Sequence, residues 1–412
     1  MSLRLGIVHW AFPPVIGGVE MHLLTVAPEM VRQGAQVFIL CGSIEKKPGV
    51  EEVEGVRVER VNEMNPDYAE ELRDEGQDLY PIYRELFDRF LEQYDLEAVQ
   101  AHNLHYDFFD LSKALKDACQ AQGIPCYLIV HNDVFIDRSW ETTQRIVGEI
   151  DWDKLVAISH YLKKTLNKTV PQVSAEKWTV IMHGIDLEKF HPLKPAEQDE
   201  WKQRYGFAGR KIILHPGRFL PWKGILPAIK AMPRVREEFP QAVMVLTGRK
   251  QRLYKEKQVL VDYDDQIDTF IEEHDLGDNI HIGDYDHADI PRLASICEVM
   301  IYTTIGNEPF GLVPVEGMAC AAPVIVTRSG GLVESVVDGE TGFIIDKDED
   351  QIPEQLAQRI LELFSNPALA KDMGEKGRSR AEEKFDKTRM AQDFIQLSEA
   401  LIDEKQAGAG QM

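Results

Sequence analysis

Short apolar runs alternate with longer amphipathic stretches along almost the whole chain, and the alternation stops and restarts once. Residues 3–9, 36–41, 97–101, 125–130, 154–159 and 178–182 have the length and composition of buried strands. Helical periodicity fills most of the intervals, as at 20–33, 80–93 and 107–122. Strands covered by helices on both faces read as continuous apolar runs, which predicts a parallel sheet. Residues 186–200, rich in Pro, Lys and acids, interrupt the pattern. It resumes with strands at 211–215, 242–247, 279–282, 298–303, 323–327 and 343–346, and with a helix over 225–238. The fold class this implies is α/β, built as two doubly wound Rossmann-like domains joined near 187–205. The expected divisions are 1–190, 191–386 and a C-terminal piece 387–412, with a helix at 387–403 and a frayed end from Ala407. The polar stretch 250–265 reads as a surface insertion, and Asp264, Asp265 and the acids at 346–350 read as solvated charges.

Residues 307–327 carry the sharpest chemistry. Glu308 and Glu316 stand eight residues apart, separated by Pro309, Phe310, Gly311, Leu312, Val313, Pro314 and Val315. Gly311 lets backbone approach a ligand because no side chain intervenes. Pro314 is tolerated only in the first turn of a helix, so a helix begins near 310–313. The free N–H groups of that turn favour anions and polar oxygens. Glu308 lies just ahead of it. Glu316 lies inside the helix, where a carboxylate accepts two hydrogen bonds from a vicinal diol such as ribose. Either glutamate alone reads as an ordinary surface charge; their order with Gly, Pro and an apolar helix points to a ligand.

A second segment fits the first. The apolar run that opens at Lys211 ends at Pro216 and Gly217, and Arg218 follows. Open α/β sheets bind ligands at the carboxyl ends of their strands. Arg218 offers a planar fork to phosphate oxygens, and Lys223, five residues on, a point charge. Together they suit a diphosphate leaving group as its charge develops; singly they are surface cations.

Near the N-terminus a strand ends at His9 and leads to Gly17 and Gly18, a pair suited to presenting backbone N–H groups to a phosphate or a sugar. The spacing is not the Gly-x-Gly-x-x-Gly of a dinucleotide dehydrogenase. Glu20 then falls in the first turn of a helix, where a carboxylate is favourable. His131 follows the apolar strand ending at Val130, with Asp133 two residues on. His102 and His105 form a His-x-x-His pair, and two histidines without a third ligand make a poor zinc site.

With these segments in view, the chain resembles a retaining glycosyltransferase of family 4 (glycosyltransferase group 1) with the GT-B architecture. The resemblance rests on Gly17 to Glu20, His131, Val156 to Ser159, Val180 to Asp186, Gly217-Arg218 with Lys223-Gly224, and Glu308 to Glu316. Gly330-Gly331 with Glu334 and Asp338 to Gly342 complete it. It implies two domains facing across a cleft, and a last helix crossing back onto the first. It also implies a hexosyltransferase that moves a sugar from a nucleoside-diphosphate sugar, by default a UDP-sugar, to an acceptor hydroxyl with retention. Glu308 and the backbone of Phe310, Gly311 and Leu312 would hold the sugar hydroxyls, and Glu316 the ribose. Arg218 and Lys223 would stabilise the diphosphate, and the loop of Gly17 and Gly18 would close over it. His131 would lie beside the donor sugar, with His102 and Asp133 on the acceptor side. No cofactor and no metal are expected, since this architecture needs no Asp-x-Asp motif. Two departures stand out. His183 occupies a position where the family often has Asn, and Ala321-Ala322 one where many relatives have Gly, implying a different turn.

Composition narrows the partners. The 412 residues suffice for two cores, and the formal net charge of −23 argues against nucleic acid as a partner. The five cysteines lack a Cys-x-x-Cys spacing and read as reduced thilols of a cytoplasmic protein. No apolar run is long enough to span a membrane. Without a basic amphipathic patch, the acceptor reads as a soluble metabolite or glycan; a homodimer is compatible with all of this. Two other classes share these features: a non-catalytic nucleotide-sugar-binding protein, and a GT-B phosphorylase or epimerase.

Overall fold

The computed structural model describes residues 2–15, 17–104, 109–132, 140–248, 258–286 and 288–409. The chain divides into two compact units. Unit 1 combines Met1–Gly184 with Lys387–Met412, and unit 2 is Ile185–Asp386.

Among the described residues, unit 1 holds an eight-stranded sheet. Its strands are β1 (Arg4–Val8), β2 (Gln36–Gly42), β3 (Gly49–Val53), β4 (Val56–Val61), β5 (Ala98–His102), β6 (Cys126–Val130), β7 (Leu155–Ala157) and β8 (Trp178–Val180). Their order is β3-β4-β2-β1-β5-β6-β7-β8, parallel throughout except for β3 against β4. Each expected strand of this half is present, because Val, Ile and Leu runs such as β6 are buried along their whole length. The β3–β4 hairpin was not anticipated. β3 is an edge strand with its first four residues exposed, and its glutamates hide it from an apolar-run criterion. Helix Lys387–Ala409 packs inside this unit: the Tyr127 hydroxyl meets Ser398 Oγ at 2.8 Å, and Gln33 Nε2 donates to the Thr388 carbonyl at 2.9 Å. The helix reaches Ala409, so Ala407 is helical rather than frayed.

Unit 2 holds a six-stranded parallel sheet among its described residues: β9 (Lys211–His215), β10 (Ala242–Leu246), β11 (Ile280–Ile282), β12 (Val299–Tyr302), β13 (Val324–Thr327) and β14 (Gly342–Ile345). The order β11-β10-β9-β12-β13-β14 places the point of reversal between β9 and β12. Ile213, Met244, Ile301, Ile325 and Phe364 are among the buried residues of its core.

Three local expectations need correction. The stretch 225–238 is two helices, Ile225–Ile229 and Met232–Glu238. Pro233 sits at the start of the second, where its missing N–H costs nothing, and it prevents one continuous helix. Residues from Gln258 onward are the helix Gln258–Glu273 rather than an insertion, and Asp264 is 2% exposed rather than solvated. Ala321 adopts φ +57°, so the left-handed turn that glycine favours is retained without glycine. Residues 249–257 lie outside the described residues. The acids at 346–350 are exposed, as expected, and Cys41, Cys119, Cys126, Cys297 and Cys320 are all free thiols.

Candidate active site

In unit 2 the site is built where β9 and β12 diverge. After β9 the chain turns through Gly217, at φ +144°, to Arg218, then through the short 3-10 turn Pro221–Lys223 to Gly224. After β12 it runs as a loop to Gly311. Hydrogen bonds stitch the two loops together. The Trp222 carbonyl accepts from the N–H groups of Ile305 (2.9 Å) and Gly306 (3.2 Å) and from the Thr304 hydroxyl (2.8 Å). Thr303 Oγ1 donates to the Gly224 carbonyl at 2.9 Å. Gly224 has φ +68°, and a Cβ there would lie 1.9 Å from the Thr303 carbonyl oxygen, so this approach demands glycine.

The stitching brings Lys223 and Glu308 together. Lys223 Nζ lies 2.9 Å from Glu308 Oε2, and both side chains are largely buried. Tyr302, at the end of β12, donates its hydroxyl to the same Glu308 oxygen at 2.8 Å and also bonds Lys223 Nζ. Tyr302 was not anticipated from sequence; a tyrosine ending a strand next to the Lys223 loop is evident only once β9 and β12 are known to be neighbours. Burial, then the charge of Glu308, pushes its hydroxyl well above the ordinary phenol range, so it stays a donor. Arg218 is exposed and near enough to oppose that rise.

Behind Glu308 the expected glycine pair forms a cradle. Gly331 N–H donates to the Glu308 carbonyl at 2.7 Å, and a Cβ on Gly330 would sit 2.0 Å from the same oxygen. Gly311 caps helix Leu312–Ala319 with φ +90°, and Phe310 is buried edge-on to Phe385 at 5.8 Å. Pro314 is the third residue of that helix, as its chemistry requires. Glu316 lies one turn in, partly buried. Burial pushes its carboxyl up to about 7, with Lys189 opposing, and among the described residues no side-chain hydrogen bond stabilises the ionised form.

In unit 1, Gly17 is the extended N-cap of helix Gly18–Arg32, and both glycines of the pair are exposed. Glu20 in the first turn pairs with His9, Oε1 to Nε2 at 3.0 Å. Burial raises the Glu20 carboxyl, but the His9 hydrogen bond and the helix-start N–H groups bring it below the ordinary range. His102 and His131 are not at an open surface: His102 is 0% and His131 4% exposed. His102 Nδ1 and His131 Nε2 are 3.0 Å apart, and His131 Nδ1 and His183 Nε2 3.4 Å. His22, from helix Gly18–Arg32, joins them, with ring centroids 4.9 Å from His131 and 4.5 Å from His183. His22 escaped sequence reading because nothing near it in the chain marks it. Asp133 and His105 lie outside the described residues.

Among the described residues no helix is long and apolar enough to cross a membrane. The sequence profile of glycosyltransferase family 4 matches residues 16–189, and that of glycosyl transferases group 1 matches 197–380. Spore coat protein SA of Bacillus subtilis is 29% identical over 293 residues, 68% of this chain and 74% of that protein. A glycosyltransferase from Rickettsia africae is similar in structure with TM-score 0.76 at 21% identity, over 97% of this chain and 99% of that one. Anabaena HepE, solved with UDP and glucose, gives TM-score 0.73 at 18% identity, over 97% and 100% of the two chains. Two parallel-sheet α/β units, a GT-B fold and two adjoining profile matches together identify the chain as a member of glycosyltransferase family 4, with its group 1 region in unit 2.

Proposed function

We propose that this chain transfers a hexose from a nucleoside-diphosphate sugar, by preference a UDP-sugar, to a hydroxyl of a soluble acceptor with retention of configuration. The observation that carries the reading is the Lys223–Glu308–Tyr302 cluster at the carboxyl ends of β9 and β12, beside Arg218. It sets cations and a sugar-binding carboxylate at the reversal point of a parallel sheet. The Anabaena relative in structure, solved with UDP and glucose, supports the same donor class.

In this reading, Lys223 and Arg218 face the diphosphate. Glu308 and the backbone of Phe310, Gly311 and Leu312 take the sugar hydroxyls, and Glu316 takes the ribose diol. The bond from the anomeric carbon to the β-phosphate oxygen breaks, and the acceptor oxygen bonds to the same face of that carbon. The acceptor proton passes to the departing phosphate oxygen, so the nucleoside diphosphate leaves with both electrons of the broken bond. Lys223 and Arg218 stabilise the charge that develops there. No metal is assigned to this step. Gly17 and Gly18 of unit 1 offer backbone N–H groups suited to a phosphate or a sugar, and unit 1 serves the acceptor.

Calorimetry with UDP, GDP, ADP and their sugar conjugates tests the donor. One nucleotide-sugar is expected to bind in preference, and to stabilise the fold by about 2.7 kcal/mol at 100 times its Kd. Glu316→Ala is expected to raise donor KM. Absence of binding by every nucleotide would remove the reading, and an unchanged KM in the variant would remove the ribose role of Glu316.

A further inference from the structure

Unit 1 has its own point of reversal, between β1 and β5, and histidines gather there. His9 follows β1, His102 ends β5, His131 follows β6, and His22 comes from the helix that succeeds β1. His22, His102 and His131 are buried, and one ring nitrogen from each lies within 4.8 Å of the others.

The hydrogen bonds divide these rings unequally. His102 Nε2 faces Gln100 Oε1 at 3.1 Å, an oxygen that only accepts, so Nε2 carries the hydrogen. His102 Nδ1 is then a bare lone pair, directed at His131. His131 in turn has His183 at its other nitrogen. His22 stands outside this chain: it is 3% exposed, and neither of its nitrogens has a hydrogen-bond partner among the described residues. A neutral imidazole always has one donor and one acceptor, and burying both without partners is unfavourable.

We propose that His22, His102 and His131 bind a divalent transition-metal ion of the zinc type. A metal gives the buried lone pair of His22 a partner that no described residue supplies. In a tetrahedral zinc site with bonds of about 2.0–2.1 Å, ligand nitrogens lie roughly 3.3 Å apart, and His102 Nδ1 and His131 Nε2 are at 3.0 Å. The outer contacts already have the arrangement that holds metal-bound imidazoles: Gln100 Oε1 fixes the His102 ring, and His183 Nε2 faces the far nitrogen of His131. Three nitrogen ligands of this kind suit zinc, cobalt, nickel or copper over magnesium or calcium.

The proposal does not depend on the assigned reaction, and metal content is read without assaying transfer. The full chain, stripped with chelator, is loaded with Zn²⁺ or Co²⁺, desalted and measured by elemental analysis and visible spectroscopy. About one metal per chain is expected, with the intense visible bands of four-coordinate Co²⁺. His22→Ala, checked for folding by circular dichroism, is expected to lose the metal, while His160→Ala retains it. A wild-type chain that retains no metal overturns the proposal, as does a folded His22→Ala variant with wild-type stoichiometry and spectrum. Should His22→Ala fail to fold, His102→Gln is read in its place, and the wild-type stoichiometry still decides.

Discussion

Lys223 and Glu308 are 85 positions apart in the chain, yet their charged atoms lie 2.9 Å apart because adjacent strands deliver the two loops to one place. The pair is shielded from water, and Tyr302 touches both members. A buried ion pair is sensitive to the loss of either partner, since the survivor keeps its desolvation cost.

Lys223→Ala is therefore expected to act on turnover first. If Lys223 meets charge on the departing phosphate, kcat falls about ten-fold or more while donor KM moves less. Steady-state kinetics with the preferred donor checks this. Turnover at the wild-type rate would return Lys223 to a structural partner of Glu308.

Glu316 gives a pH signature. Its carboxyl sits at about 7 in the fold against an ordinary value of 4.5, so between these values the folded state binds more protons than the unfolded one. Stability then falls as pH rises through that window. Its partial exposure limits the effect to an order of 2 kcal/mol. Melting curves of the wild type and Glu316→Gln across pH 4.5–7 isolate it: the wild type should lose ground to the variant as pH rises. Parallel curves would show that Glu316 is ionised throughout.

Asp153 has the opposite sign. Burial raises its carboxyl, but Lys116 at 2.5 Å, the Cys126 N–H at 2.8 Å and Lys405 at 2.7 Å together lower it below the ordinary range. Its contribution is present at neutral pH and is lost as pH falls through the lowered value. Asp153→Asn is expected to cost about 2–4 kcal/mol near neutrality, leaving the buried Lys116 uncompensated. Urea titrations at neutral and acid pH check it, and the gap from wild type should close on acidification.

Gly330→Ala tests the cradle behind Glu308. The backbone there has φ +51°, and the added methyl would meet the Glu308 carbonyl at 2.0 Å. A loss of about 1–3 kcal/mol is expected, together with a larger fall in activity than Gly339→Ala, whose Cβ would meet nothing within 4 Å. Equal effects of the two substitutions would mean that the Glu308 loop is not held by Gly330.

The legible parts of this molecule are those whose cause is local. β6 and β9 are visible as apolar runs, and the start of helix Leu312–Ala319 is visible from Gly311 and Pro314. The pairing of Lys223 with Glu308 was foreseen only as membership of one site, because their contact depends on strand order rather than spacing. Tyr302 and the β3–β4 hairpin were missed for related reasons: one acts through a neighbouring strand, and the other is an exposed, acidic edge. The histidine cluster is the extreme case. His22, His102, His131 and His183 come from four separate stretches of chain, so no spacing rule joins them.

Unit 1 is assembled from both ends of the chain, while unit 2 is one uninterrupted stretch between them. This has a consequence for synthesis on the ribosome. Ile185–Asp386 can collapse as soon as it has emerged, but the first sheet must wait for Lys387–Ala409 before Tyr127 gains Ser398, Asp153 gains Lys405 and Gly184 gains the Met390 sulfur. The earliest-made half of the protein is thus the last to be finished, and a chain stalled before Lys387 would release a completed second unit attached to an incomplete first one.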